Sequence, residues 1–268
     1  MAYLRWHWIT LEPEKGKVRW EIIDLALEEA RRHGQALAIR LMPYDRDEKY
    51  PLPAWYRASG AKRANKDSDQ KTGKIWEPDY TDPLYLKHWG ELIAAAGKRY
   101  DGHPDLDTVD IASIGYWGEG WSDYAPKVEV EKKLLDIYFN AFKKTPLLVN
   151  DQPNVIDWAV GKGAGWRLDC WGDMRSSEGY AFSHMLETYP ELVARPGVRE
   201  AWRRAPVSLE TCGACHGGET RANGNPFVAP VVYGSVFEQN NPDVAGRADS
   251  CFGPLESGGY NLDEANTC

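Results

Sequence analysis

Apolar positions along this chain alternate between two periods, short buried runs and longer amphipathic stretches. Tyr3 to Ile9 is aromatic and β-branched and reads as a strand, followed by a turn at Leu11–Gly16. Ile22, Ile23, Ala26, Leu27 and Ala30 then recur at helical spacing, and Gly34 stops the helix. Ala36 to Met42 is a continuous apolar run around Arg40, a second buried strand. The polar stretch from Tyr44 to Asp79 reads as a loop excursion of the length that usually serves a function or is disordered. Asp82-Pro83 has the signature of a helix start, with Asp82 as N-cap and Pro83 in the first turn. Leu86, Trp89, Leu92, Ile93, Ala96 and Tyr100 form that helix's stripe before Asp101-Gly102 closes it. Thr108–Ile114 predicts a strand and 127–142 a helix with Val130, Leu134, Tyr138 and Phe142 on one face. Leu147–Asn150 predicts a strand, Val155–Val160 a short helix and Trp166–Trp171 a strand. An interrupted helical region over Ala181–Arg203 leads to a last strand at Val207–Glu210.

Six buried strands alternating with helical or loop material predict an α/β fold with a parallel sheet, wound by right-handed crossovers. A chain of 268 residues accommodates one barrel of about 250 residues and little more. The expectation is a (β/α)8 TIM-barrel type, incomplete at its first and last strands. Its domain organisation is a barrel domain over 1–212 and an irregular tail over 213–268, which is rich in Gly, Pro and Asn.

Composition narrows the function. A net charge of −8 lacks the basic footprint of a nucleic-acid binder, and no run approaches the roughly 20 apolar residues of a membrane span. No signal-peptide pattern opens the sequence; the compartment expected of the chain as written is the cytoplasm, or secretion if an N-terminal segment precedes it. Five cysteines, four of them after position 211, do not read as a disulfide framework. Cys212-Gly213-Ala214-Cys215-His216 spells a haem-attachment pattern, which a chain with four methionines and no export signal supports poorly. Asp45 and Asp47 are acidic but no further ligands accompany them, so no metal and no cofactor are expected.

The chemistry concentrates at two strand ends. Glu119 follows its strand between Trp117 and Trp121 and among Gly115, Gly118 and Gly120. Glycines permit close approach, and tryptophans offer flat faces to a sugar ring. Burial beside indoles disfavours the charged form of a carboxyl and suits it to donate a proton. Glu210 ends the last strand, and in a parallel barrel both groups open onto one face. Two carboxylates across a sugar are the minimal equipment for glycoside hydrolysis. Arg5 on the first strand is placed to hold Glu210 ionised and oriented. Trp8, Trp55, Trp76, Trp117, Trp121 and Trp171 fall at strand ends or loops as candidate sugar platforms, and Asp169 and Asp173 as hydroxyl ligands.

These residues also carry a resemblance. Trp8-Ile9-Thr10-Leu11-Glu12-Pro13-Glu14-Lys15-Gly16, with Pro51-Leu52-Pro53-Ala54-Trp55, resembles the early part of clan A glycoside hydrolases, nearest the family 42 β-galactosidase-like barrel. Tyr116-Trp117-Gly118-Glu119-Gly120 is similar to the end of strand four of such enzymes, and Ser208-Leu209-Glu210 to the end of strand seven. The resemblance covers about residues 3 to 212. It implies a retaining glycosidase with Glu119 as acid/base, Glu210 as nucleophile and a carbohydrate substrate. It also implies that the chain begins at the second family strand. That clan usually carries Asn before the acid/base, where this chain has Gly118, which keeps a second expectation open, a non-catalytic glycan-binding barrel.

Overall fold

The computed structural model describes residues 2–45, 51–65, 76–171, 183–210, 231–232 and 256–257. Six strands, β1 (Ala2–His7), β2 (Leu37–Met42), β3 (Leu106–Ile111), β4 (Leu147–Asn150), β5 (Gly165–Leu168) and β6 (Val207–Leu209), form one sheet in sequential order. Every neighbouring pair is parallel. The sheet curls into a half-barrel, because Arg5 of β1 reaches Glu210 just beyond β6 and Arg167 of β5 reaches Tyr3 of β1. Val231–Val232 and Glu256–Ser257 pair separately as a two-residue ladder; the rest of the expected tail, with the Cys212–His216 pattern, Asp47 and Asp173, lies outside the described residues.

Side chains alternate across a strand, and here the alternation separates two environments. Leu37, Ile39 and Leu41 of β2, Val109 and Ile111 of β3, Leu147 and Val149 of β4, and Trp166 and Leu168 of β5 join one apolar core. Residues of the other parity include Tyr3, Arg5, Arg40, Asp110, Asn150 and Arg167, and their hydrogen bonds meet one another on the concave side. Helices cover the apolar face: α1 (Trp8–Leu11), α2 (Glu21–Arg32), α3 (Ala54–Arg57), α4 (Pro83–Tyr100), α5 (Val128–Ala141) and α6 (Ile156–Gly161). The predicted helical stripes are the faces they bury, with Ile23, Leu27 and Ala30 from α2 and Trp89, Leu92, Ile93, Ala96 and Tyr100 from α4. Asp82 caps α4 by accepting from the Leu84 amide.

Several boundaries differ from expectation, among them the fifth strand, which stops at Leu168 rather than Trp171. The first strand stops at His7, because Trp8 turns its indole into the helix-side core and opens a helical turn whose Trp8 carbonyl accepts from the Glu12 amide. The third strand spans Leu106–Ile111, and residues 112–115 already belong to the turn that carries Glu119. The excursion after Tyr44 is partly built: α3 lies within it, and its far limb closes antiparallel through Ala64 amide to Glu77 carbonyl and Asp79 amide to Lys62 carbonyl. Cys170 is disulfide-bonded, a covalent tie the odd cysteine count did not suggest.

Candidate active site

Glu119 is delivered by a glycine-rich turn with left-handed backbone. Gly115 and Gly118 both take φ of +76°, Gly120 takes +91°, and Trp117 between them takes +52°. Left-handed backbone suits glycine, whereas a bulky residue there is strained, an arrangement that clusters at functional sites. A side chain at Gly118 would place its Cβ 2.6 Å from the Ala112 Cβ, so the Asn that the sequence resemblance leads one to expect here has no room. Both ends of the turn are held by one buried acid. Glu77 accepts from Ser122 and from Tyr80, and the Tyr80 hydroxyl accepts from the Gly115 amide at 2.9 Å. Glu210 is fixed from the other side, its amide donating to Leu168 and its carbonyl accepting from Trp171 at 2.7 Å.

The two glutamates converge. Carboxylate oxygens of Glu119, Asp169 and Glu210 all lie within 4.8 Å of one another. Their side chains are 11%, 18% and 6% exposed respectively. Three guanidinium groups serve it. Arg5 reaches Glu210 at 3.4 Å, as expected from its place on β1. Arg167 ion-pairs with Glu210, with Asp169 at 3.1 Å and with Asp110 at 2.6 Å. Arg40 joins Asp110 at 3.2 Å to Glu119 at 3.4 Å. Asn150, ending β4, donates to the Glu119 carbonyl at 3.0 Å and to Asp169 at 3.5 Å. A divalent cation tolerates such a carboxylate spacing, but the arginines already supply the counter-charge a cation would bring, and the donor set fits ion-paired acids better than metal ligands.

Electrostatics distinguish the acids. Burial pushes Glu119 up to about 7, the nearby Asp169 charge adds to the rise, and Arg40, Arg167 and Arg5 oppose it. Burial also acts on Asp110, yet Arg167 and Arg40 outweigh it and hold that carboxyl below the usual range. Asp151, next to Asn150, is pushed up to about 6, by burial first; Arg195 opposes the rise and Asp169 adds to it. At neutral pH the pocket thus holds a half-protonated glutamate beside a glutamate ion-paired with arginines.

Not every expected residue joins this group. Trp117 and Trp121 do: Arg40 donates to the Trp117 carbonyl at 3.2 Å, and the Trp121 indole donates to Glu119 at 3.3 Å. Trp171 follows Asp169, with its ring edge-on to Tyr189. Trp8 stands apart, fully buried among Trp55, Tyr56, Tyr85 and Trp89 in the helix-side core. Trp55 packs there too and donates to the Glu12 carbonyl, and Trp76 packs on Tyr56. The Leu11-Glu12-Pro13 motif is a structural device, since Glu12 accepts from the Trp8 indole and the Gly16 amide. Arg40, Asp110, Asn150 and Arg167 were missed as site residues. The signal was present, because a lone charge inside an apolar strand requires a buried partner.

No protein-family model and no curated protein matches this chain. Its fold is similar to that of solved glycoside hydrolases. The catalytic domain of β-amylase from Paenibacillus polymyxa shares it at a TM-score of 0.53 and 10% identity, over 82% of this chain and 81% of that one. Endo-glycoceramidase II from Rhodococcus sp. aligns at 0.46 and 13%, over 84% of this chain and 62% of its own. A β-galactosidase from Marinomonas ef1 aligns at 0.49 and 11%, over 79% and 43%. The chain therefore spans less than two thirds of the length of the latter two enzymes. No helix among the described residues is long and apolar enough to cross a membrane.

Proposed function

We propose that this chain is a retaining glycoside hydrolase of the β-galactosidase-like type, its half-barrel being the larger part of a (β/α)8 barrel. The observation that carries this reading is the approach of the Glu119 and Glu210 oxygens to within 4.8 Å. Retaining enzymes space their carboxyls about 5–5.5 Å apart, and inverting enzymes about 6.5–9.5 Å. Glu119 is the acid/base. Its proton passes to the glycosidic oxygen as that oxygen's bond to the anomeric carbon breaks. Glu210 is the nucleophile, and one of its oxygens bonds to the anomeric carbon from the opposite face. Water then gives a proton to Glu119 and its oxygen to the sugar, and the bond to Glu210 breaks. Arg5 and Arg167 orient Glu210, while Trp117, Trp121, Trp171 and Asp169 contact the carbohydrate. The chemistry calls for no cofactor.

The test is hydrolysis of aryl glycosides, the β-galactoside first, by the unaltered protein and by Glu119→Gln. The variant should lose about 10²–10⁴-fold on poor leaving groups and far less on good ones, because only poor ones need a proton. Equal loss on both removes the acid role, and a first-formed product of inverted configuration removes the double displacement. The absence of a side chain at Gly118 favours one other reading, a glycan-binding barrel without turnover. Calorimetric sugar binding with no hydrolysis of any aryl glycoside would establish that reading instead.

A further inference from the structure

We propose that the exposed face of Trp121 is the leaving-group subsite, and that it takes a ring: a second sugar or an aryl aglycone. The inference rests on the reading of Glu119 as the acid and names which side of the scissile bond this indole serves. A general acid must touch the oxygen of the bond that breaks, which belongs to the departing group. The Trp121 indole nitrogen lies 3.3 Å from a Glu119 oxygen, so a group resting on this indole lies beside that departing oxygen.

The indole is built for contact rather than left over from packing. Its side chain belongs to a residue 43% exposed, among the few large apolar residues open to solvent. It is nonetheless held in place, with the Tyr116 ring at a steep angle 4.5 Å away between centroids and the Trp117 ring tilted at 5.7 Å. The backbone is fixed too. The Trp121 carbonyl accepts from the Tyr116 amide at 3.1 Å, and a Cβ on Gly115 would lie 2.0 Å from that oxygen, so the glycine permits the approach. A flat apolar face held in place loses little freedom when a ring stacks on it. Trp171, by contrast, is tied through its amide to the carbonyl of Glu210 and not to the acid.

The test compares an aryl β-galactoside, the corresponding disaccharide and β-galactosyl fluoride, whose leaving group is a single atom with no ring to stack. Substitutions are Trp121→Ala, which removes the platform, and Trp121→Phe, which keeps a ring but removes the N–H bonded to Glu119. In Trp121→Ala the ratio of kcat/KM for the aryl glycoside or disaccharide to that for the fluoride should fall by roughly tenfold. In Trp121→Phe that ratio should stay within about threefold of the unaltered protein. An unchanged ratio in Trp121→Ala, or an equal fall in both variants, overturns the assignment. No turnover of any of the three by the unaltered protein defeats the hydrolase reading and the subsite with it.

Discussion

Asp169 tests the electrostatic reading most directly. Hydrolysis requires two carboxylates, yet a third lies within 4.8 Å of both. An ionised Asp169 beside Glu119 opposes loss of the acid's proton, so removing its charge must lower the point at which Glu119 ionises. Two unit charges about 5 Å apart interact by about 3 kcal/mol at an effective dielectric near 20 and by about 1 kcal/mol in bulk water. Each pKa unit corresponds to about 1.4 kcal/mol, which brackets the shift at roughly one to two units. The Asp169 side chain is 18% exposed, which favours the lower end, about one unit.

With Glu119 at about 7, half of the acid is loaded at neutral pH. Lowered by about one unit in Asp169→Asn, roughly a tenth stays loaded at pH 7, a fall of about fivefold in kcat/KM. Near pH 5 both proteins carry the proton and this part of the loss disappears. The assay is kcat/KM against pH for an aryl glycoside with a poor leaving group, between about pH 4 and 9. The alkaline limb should move to lower pH in the variant. A limb that stays in place, with activity lowered equally at every pH, would mean that Asp169 only binds a sugar hydroxyl, and the charge argument fails.

Two further outcomes concern stability. Glu119 has its folded pKa raised from 4.5 to about 7, so the folded state binds this proton more tightly than the unfolded chain does. Stability is therefore withdrawn as pH rises from about 4 to 7, and Glu119→Gln should unfold at higher denaturant than the unaltered protein at pH 8, by about 1–3 kcal/mol, but not at pH 4; a less stable variant at pH 8 contradicts this. Asp110 shows the opposite sign, its carboxyl held low by Arg167 and Arg40. Asp110→Asn leaves two buried guanidinium groups under-compensated and should cost about 3–5 kcal/mol, a Tm lower by about 10 °C at pH 7. That stability is present above the unfolded aspartate range and lost as pH falls through the depressed folded value, so calorimetric scans of the two proteins should converge in acid.

Periodicity alone located every strand of the sheet and the main helices, because a half-barrel with one apolar face leaves its period in the sequence. Glu119 and Glu210 were legible as strand-end carboxylates with unusual neighbours. The tryptophans were legible only as a set. Whether an indole serves a pocket or a core depends on which way the chain turns after a strand, and Trp8 turns into the core because the chain leaves the sheet at His7. Arg40 and Arg167 interrupt apolar strands visibly, but their partner Asp110 and the acids they reach come from other strands. Nothing in a linear pattern states which strands will curl together. The left-handed backbone of Trp117 was invisible for a similar reason, since it lies in a turn where residue 118 closes on 112 and residue 115 on 121.

The concave face carries a consequence of its own. A barrel interior is ordinarily filled by layers of branched apolar side chains, and replacing buried ion pairs by such residues is often neutral or stabilising. Here Arg40 and Arg167 occupy that interior with Asp110 between them. What they provide is a difference between two glutamates that begin with the same chemistry. Asp110, Glu119, Asp169 and Glu210 share the guanidinium groups of Arg5, Arg40 and Arg167. Glu210 pairs with both Arg5 and Arg167, whereas Glu119 shares Arg40 with a more deeply buried aspartate. Burial and the Asp169 charge raise Glu119, with Arg40, Arg167 and Arg5 opposing. A single-displacement enzyme also needs one protonated and one ionised acid, but it needs water between them. Carboxyls this close fit the proposed double displacement, in which Glu210 is itself the nucleophile, better than a single displacement, whose carboxyls stand about 6.5–9.5 Å apart.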